Sequence, residues 1–151
     1  RQATTELSNI LRSSIHSDKV EVTSLEKELA IVKDYLALEY IRFADRLEVE
    51  YAVDDNTMQN QVPPMMLQTL VENAIKYAGI HSNIVVYSSK ENDRFIFGVK
   101  DNGPGIPKEQ RDQIFKKFYR IGNEETRTQK GSGLGLYLAY QFTLLHDGNR
   151  Y

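Results

Sequence analysis

There is no cysteine and no tryptophan among the 151 residues of the sequence. Without thiols there are no disulfides, no cysteine nucleophiles and no thiolate metal sites, so any chemistry falls to carboxylates, amides, amines and the backbone. A reducing compartment is permitted by that absence and not demanded by it. A charge excess is missing as well: 19 Lys and Arg stand against 21 Asp and Glu, a formal net charge of -2. Nothing here is built to grip a polyphosphate backbone, which sets nucleic acid aside as a partner. No apolar run approaches the roughly 18 residues of a membrane span. The opening Arg1-Gln2-Ala3-Thr4-Thr5 has no signal-peptide core, so this piece is expected to make no direct membrane contact, whatever its parent does.

What remains is a chain that is 40% apolar and 26% charged, with nine Tyr and six Phe, the composition of one folded domain with one core. Leu7, Ile10, Leu11 and Ile15 predict a helix with a single apolar stripe. After a polar stretch, Thr23-Ser24-Leu25-Glu26 reads as a capping box, Thr23 capping and Glu26 reaching back. The helix that follows carries Leu29, Val32, Leu36, Tyr40 and Phe43 on one face. At Leu47 the period switches to two, through Val49, Tyr51 and Val53, which predicts a half-buried strand ended by Asp54-Asp55-Asn56.

Val62-Pro63-Pro64 is extended or a turn, with Pro64 suited to the first position of a helix bearing Leu67, Leu70, Val71, Ala74 and Ile75 and stopped by Gly79. Residues 83–90 and 94–100 predict an antiparallel hairpin turned at Glu91-Asn92-Asp93. A short helical stretch over 108–118, a polar segment over 119–130 and a final helix with Leu134, Leu138, Phe142 and Leu145 on one face complete the order. Regular helices do not separate the strands, which disfavours a doubly wound parallel sheet. The expected fold is α+β, a two-layer sandwich with helices on one face of a mixed, mostly antiparallel sheet.

Three constellations could carry chemistry. In Glu72-Asn73-Ala74-Ile75-Lys76-Tyr77, helical spacing projects an amide, an ammonium and a phenol from one side, a stripe able to hold hydrated magnesium and phosphate; an ordinary solvated face has the same composition. Asp101-Asn102-Gly103-Pro104-Gly105 follows a strand. Alone it reads first as turn chemistry, and otherwise as a carboxylate that accepts from an exocyclic amine such as adenine's, with glycines letting the backbone approach a flat ligand. Gly131-Ser132-Gly133-Leu134-Gly135 precedes a helix, where it is either a flexible entry or a set of backbone amides for phosphate. Two common phosphate loops are excluded: Leu136 stands where the dinucleotide fingerprint needs glycine, and no Gly-Lys-Ser or Gly-Lys-Thr occurs.

In this order the three constellations resemble the ATP-binding domain of sensor histidine kinases, within the wider group that includes gyrase and MutL. Glu72 to Tyr77 is similar to the family's N box, Asp101 to Gly105 to its first glycine box, Phe115 and Phe118 to its F box, and Gly131 to Gly135 to its second glycine box. Upstream, Leu25-Glu26-Lys27-Glu28-Leu29, Tyr40-Ile41-Arg42-Phe43 and Val62-Pro63-Pro64-Met65-Met66-Leu67-Gln68 resemble the LytS-type subgroup. The resemblance implies a division into residues 1–20, the end of the dimerisation helices with a linker, and residues 21–151, the catalytic domain, whose usual last strands would be missing.

The same resemblance implies ATP and Mg2+ as cofactors. Asn73 would ligate magnesium, Lys76 neutralise phosphate and Tyr77 pack near the nucleoside. Asp101 would read adenine in a pocket shaped by Gly103, Gly105 and Ile106. Residues 119–130, from Tyr119 and Arg120 through Arg127 to Lys130, are similar to a mobile lid, and Gly131, Ser132, Gly133, Leu134, Gly135 and Leu136 would hold phosphate. Glu72 would help as a base or orient a neighbour, with a salt bridge to Lys76 as the alternative; Thr69 stands where hydrolysing relatives carry their water-activating acid. None of His16, His81 and His146 has a phosphoacceptor's context, which places the acceptor upstream.

The implied function is the phosphoryl-donating domain of a homodimeric, membrane-bound sensor whose catalytic part is cytoplasmic. Its partners would be its own acceptor helices and a response regulator. A nucleotide-binding regulatory module without kinase activity, or a serine-kinase or ATP-gated relative, is the alternative.

Overall fold

The computed structural model describes residues 21–43, 46–79, 81–121 and 132–145. The predicted first helix, most of the lid and the two outer histidines lie outside them. Within them the order is β1 (Thr23–Ser24), α1 (Leu25–Phe43), β2 (Leu47–Val53), β3 (Gln61–Val62), α2 (Met66–Ala78), β4 (Ser82–Glu91), β5 (Arg94–Asp101) and α3 (Gly135–Leu145), with single 3-10 turns at Asp55–Thr57, Lys108–Gln110 and Gln113–Phe115.

β2, β4 and β5 form one sheet in that order, β2 parallel to β4 and β4 antiparallel to β5. A parallel pair needs a crossover, and α2 supplies it. The β4–β5 hairpin turns on Asn92 and Asp93, both at positive φ (48° and 63°), the conformation that matches the twist of the flanking strands and that Asn and Asp tolerate. β1 pairs antiparallel with β3 as a separate two-stranded ribbon.

Alternate residues of the sheet, Val49, Val53, Ile84, Val86, Phe97 and Val99, meet Leu29, Val32 and Leu36 of α1 and Val71, Ala74 and Ile75 of α2 in one core. A satellite cluster joins Met66 to Leu138 and Phe142, and so ties α3 to the start of α2. Helices on one face of a mixed sheet are what the sequence predicts.

Several local expectations give way. Thr23 and Ser24 are paired in β1, and it is Ser24 Oγ that accepts the Lys27 amide (3.4 Å), while Glu26 accepts from Gln59 Nε2 (3.0 Å). The cap therefore sits one residue later than the capping box places it, because β1 holds Thr23. On α1 the inner position after Leu36 belongs to Glu39, whose buried carboxylate takes two bonds from Arg42 (2.8 and 3.1 Å), and Tyr40 faces out. Residues 108–118 make two isolated 3-10 turns instead of a helix. Leu145 is exposed, so of the four predicted positions Leu138 and Phe142 are buried and Leu134 packs against them.

Pro64 does not open α2. Met65 precedes it in the left-handed conformation (φ 62°), and the missing cap comes from Glu28, 1% exposed on the inner face of α1, which accepts the amides of Met65 (2.8 Å) and Leu67 (3.2 Å). Burial pushes the Glu28 carboxyl up from its ordinary 4.5, with the amides of Met65, Leu67 and Gln68 pulling it back. A raised folded-state pKa means the proton is held more tightly in the folded chain. This stabilising contribution is complete below 4.5 and is lost as pH rises through the folded value. Compared with Glu28→Gln, which cannot titrate, wild type should lose urea-unfolding stability as pH rises above 4.5. A difference that stays flat with pH would contradict the shift.

Candidate nucleotide site

The site is built on α2. Asn73 Nδ2 donates to the Thr69 carbonyl at 2.9 Å, and since a carbonyl can only accept, the amide oxygen of Asn73 must face the other way. No protein donor meets that oxygen among the described residues. The Thr69 hydroxyl is itself occupied, donating to the Met65 carbonyl at 2.8 Å. No group of three or more His, Asp or Glu that could hold a metal occurs among the described residues. A cation here would rest on one amide oxygen, water and ligand oxygens, and that donor set suits a small hard ion that keeps much of its hydration, as magnesium does.

One turn on, the Lys76 ammonium lies over the ring of Tyr77, 4.9 Å from its centre, and the ring is about half exposed. Lys76 makes no ion pair with Glu72. Glu72 instead accepts from Gln68 Nε2 at 2.8 Å. It also faces Tyr35 of α1: burial first, then the charges of Glu39 and Glu72, push that phenol up to about 12 against the opposing effect of Arg42. Glu72 thus lies on the α1 side of the helix, about 100° from Asn73.

The Asp101 turn closes on the end of α2. Asp101, the last residue of β5, accepts the Gly103 amide at 2.8 Å through one oxygen, and the other stays open to solvent-side partners. A Cβ on Gly103 would stand 2.7 Å from that carboxylate, 3.0 Å from the Tyr77 carbonyl and 3.1 Å from Ala78 Cα. Only glycine lets the turn sit this close to the helix. Asn102 pins the turn from the other side, accepting the Asn83 amide and donating to the His81 carbonyl, both at 2.9 Å. That role is not legible from sequence, since Asn before Gly is unremarkable in any turn. Gly105 takes φ 70° with open space around it, and the half-buried Ile106 accepts from Arg111 Nε at 3.1 Å. A cleft of about 220 Å³ lined by Arg46, Glu48, His81, Ser82, Asn83 and Asn102 shares only Asn102 with these motifs.

The second glycine motif reaches α2 further up. A Cβ on Gly135, the first residue of α3, would lie 3.2 Å from Thr69 Cγ2 and 3.5 Å from Asn73 Nδ2. The N-terminus of α3, with its unpaired amides and the positive end of its dipole, therefore opens next to Asn73. Ser132 Oγ accepts the Leu134 amide at 3.3 Å; Leu134 and Leu136 are half-buried. Gly133, at φ 70°, is packed so tightly that a Cβ would meet Phe118 and Tyr119 backbone at 2.9 Å, and its carbonyl accepts the Phe118 amide at 3.1 Å.

Of the F-box pair, Phe115 packs against Tyr140 of α3 (5.4 Å between centres), whereas Phe118 is exposed and acts through its backbone. Tyr119 and Arg120 are half-buried. Lys130, Gly131 and Arg127 lie outside the described residues. The two glycine motifs thus contact α2 about 10 Å apart along its axis, on either side of Asn73 and Lys76. One end offers a carboxylate for an amine, the other a helix N-terminus for anions.

The sequence profile of the histidine kinase-, DNA gyrase B- and HSP90-like ATPases matches residues 63–151, more than half of the chain. The chain belongs to this ATPase family. Residues 1–47 match the histidine kinase family. Among similar proteins, the sensor protein LytS of Staphylococcus saprophyticus is 36% identical over 140 residues, which is 90% of this chain. The chain spans 22% of that relative's length. Among solved structures, the histidine kinase domain of the Escherichia coli osmosensor EnvZ is 30% identical with a TM-score of 0.51, covering 89% of this chain and 80% of that one. The mycobacterial sensor histidine kinase MprB, 24% identical with a TM-score of 0.63 over 85% of this chain and 81% of its own, shares the fold. Family members of this kind are ATP-binding domains, and their Bergerat fold is the two-layer arrangement described above.

Proposed function

We propose that the chain is the ATP-binding and phosphoryl-donating domain of a sensor histidine kinase. One observation carries this most: both glycine motifs close on α2 around Asn73, so residues far apart in sequence converge on one surface. Asp101, with Gly103, Gly105 and Ile106, reads the adenine amine, and Tyr77 lies beside the nucleoside. Asn73 holds Mg2+ through its free oxygen, and the metal, when bound, neutralises phosphate charge. Lys76 swings from the Tyr77 ring to phosphate. The amides from Gly131 to Leu136, including Ser132, Gly133, Leu134 and Gly135, cradle the phosphates at the α3 N-terminus. Residues 119–130 act as the lid, in which Tyr119, Arg120 and Lys130 serve as nucleotide-binding residues. Glu72, held by Gln68 at the rim, orients or deprotonates the incoming acceptor.

Phosphoryl transfer depends mainly on positioning and charge neutralisation, so a domain of this kind completes a reaction only when a nucleophile is delivered. The nucleophile is a histidine on the dimerisation helices of a homodimeric parent, from which phosphate passes to a response regulator. Residues 1–20 are the end of those helices. A boundary near residue 20 is supported by α1, which shares its core with α2 and the sheet. Among the described residues no helix is long and apolar enough to cross a membrane. The parent is a membrane-bound sensor, with this domain on the cytoplasmic side.

Asp101→Asn tests the adenine end directly. The substitution keeps the acceptor oxygen for Gly103 but replaces a charged acceptor by an amide, so ATP affinity should fall about tenfold and preference over GTP should narrow. Unchanged affinity and selectivity by calorimetry would remove Asp101 from the site.

A further inference from the structure

Glu28 is remote in sequence from every nucleotide motif, yet an unbroken line of hydrogen bonds runs from it to Asn73. Its carboxylate accepts the Met65 amide at 2.8 Å. The Met65 carbonyl accepts both the Thr69 amide, at 3.0 Å, and the Thr69 hydroxyl, at 2.8 Å. The Thr69 carbonyl in turn accepts the Asn73 side-chain amide at 2.9 Å, the bond that leaves the Asn73 oxygen facing outward. Met65 holds a left-handed backbone, φ 62° and ψ 6°, and contributes no side-chain cap of its own. For a residue with a Cβ that conformation is strained and persists only where its surroundings impose it. The imposing group here is a carboxyl acceptor from another helix, aimed at the N-terminal amides of α2.

We infer that Glu28 is a positioning residue of the nucleotide site: by holding Met65 in its left-handed turn it fixes where α2 begins, and through Met65 and Thr69 it fixes the direction of the Asn73 amide oxygen. The inference rests on Asn73 being the magnesium ligand. Glu28 touches no substrate. A residue next to α2 in sequence would cap that helix without reference to anything else; a cap supplied by α1 locks the site-bearing helix to the rest of the core. Two acceptor oxygens are needed, because a carboxamide offers one and turns its NH2 against the Leu67 amide.

The test is ATP affinity by calorimetry, with and without Mg2+, at a temperature where circular dichroism shows every variant folded. Glu28→Gln should reduce the magnesium-dependent gain in affinity about tenfold, leaving magnesium-free affinity, which depends on the Asp101 turn, within about twofold. Adding Met65→Gly, which takes positive φ without strain, should restore most of the gain. Should Glu28→Gln fail to fold, Thr69→Val, lacking the hydroxyl bond to Met65, should lower the same gain by about threefold. An intact gain in Glu28→Gln, or in Thr69→Val as its substitute, overturns the inference while Asn73→Ala still abolishes the gain. Equal losses with and without metal also overturn it, since Glu28 would then serve only the fold. A gain that survives Asn73→Ala overturns both the inference and the metal assignment beneath it.

Discussion

Asn73→Ala removes the magnesium-dependent part of ATP affinity and lowers phosphoryl transfer by about a hundredfold or more, because a metal at the transferring phosphate supplies several kcal/mol of charge stabilisation. The Thr69 carbonyl takes the amide nitrogen of Asn73 and leaves its oxygen without a protein donor among the described residues. Alanine keeps the helix, since it is the best helix former, and leaves the Gly135 contact with Thr69 in place. The loss should therefore appear in magnesium titrations and not in thermal unfolding. A variant that unfolds early while its metal-dependent affinity per folded molecule is normal would speak for a structural role.

Gly103→Ala should have the second largest effect, and for a steric reason. The new methyl would stand 3.0 Å from the Tyr77 carbonyl and 3.1 Å from Ala78 Cα, both backbone, and 2.7 Å from the Asp101 carboxylate, which is bonded to the Gly103 amide. The turn must lift off α2, at a cost of about 1–3 kcal/mol for overpacking, and Asp101 moves with it. ATP affinity should fall more than tenfold at the same time as the unfolding temperature drops. Gly105→Ala is the natural comparison. Gly105, unlike Gly103, holds positive φ, but nothing lies within 4 Å of its missing Cβ, so only backbone strain of roughly 1 kcal/mol is expected. If both alanines behave alike, close approach of the first glycine motif to α2 is not what matters.

The sequence disclosed what depends on near neighbours. The period of α2, its stop at Gly79 (φ 97°), the two-strand hairpin and the switch to period two at Leu47 all arise within a few residues of one another. The motifs that carry the family resemblance were legible for the same reason, and the family match places the chain where they pointed. What stayed hidden was long-range. Glu28 reaches 37 residues to cap Met65, and Asn102 reaches 19 to bind Asn83. A clue to the first was present: a carboxylate at position 28 falls on the apolar face between Leu25 and Leu29, where it must find donors.

Other misreadings were competitions between local rules. Pro64 suited a helix start, but the buried Glu28 carboxylate held the chain in a left-handed turn at Met65 and moved the start to Met66. Over 108–118, favourable helix composition lost because only half-buried contacts reward it, with Phe115 against Tyr140, and Phe118 turns to positive φ to meet Gly133. Glu72 and Lys76 have the spacing of an ion pair, yet Gln68 and the Tyr77 ring take them instead.

The most direct measurement of the central claim combines this chain with the acceptor helices of its parent and ATP labelled in the γ-phosphate. Label should appear on a histidine of the acceptor helices in a magnesium-dependent reaction that Asn73→Ala abolishes. Tight magnesium-dependent ATP binding with no phosphohistidine at any acceptor concentration would contradict it and leave a nucleotide-binding module without kinase activity.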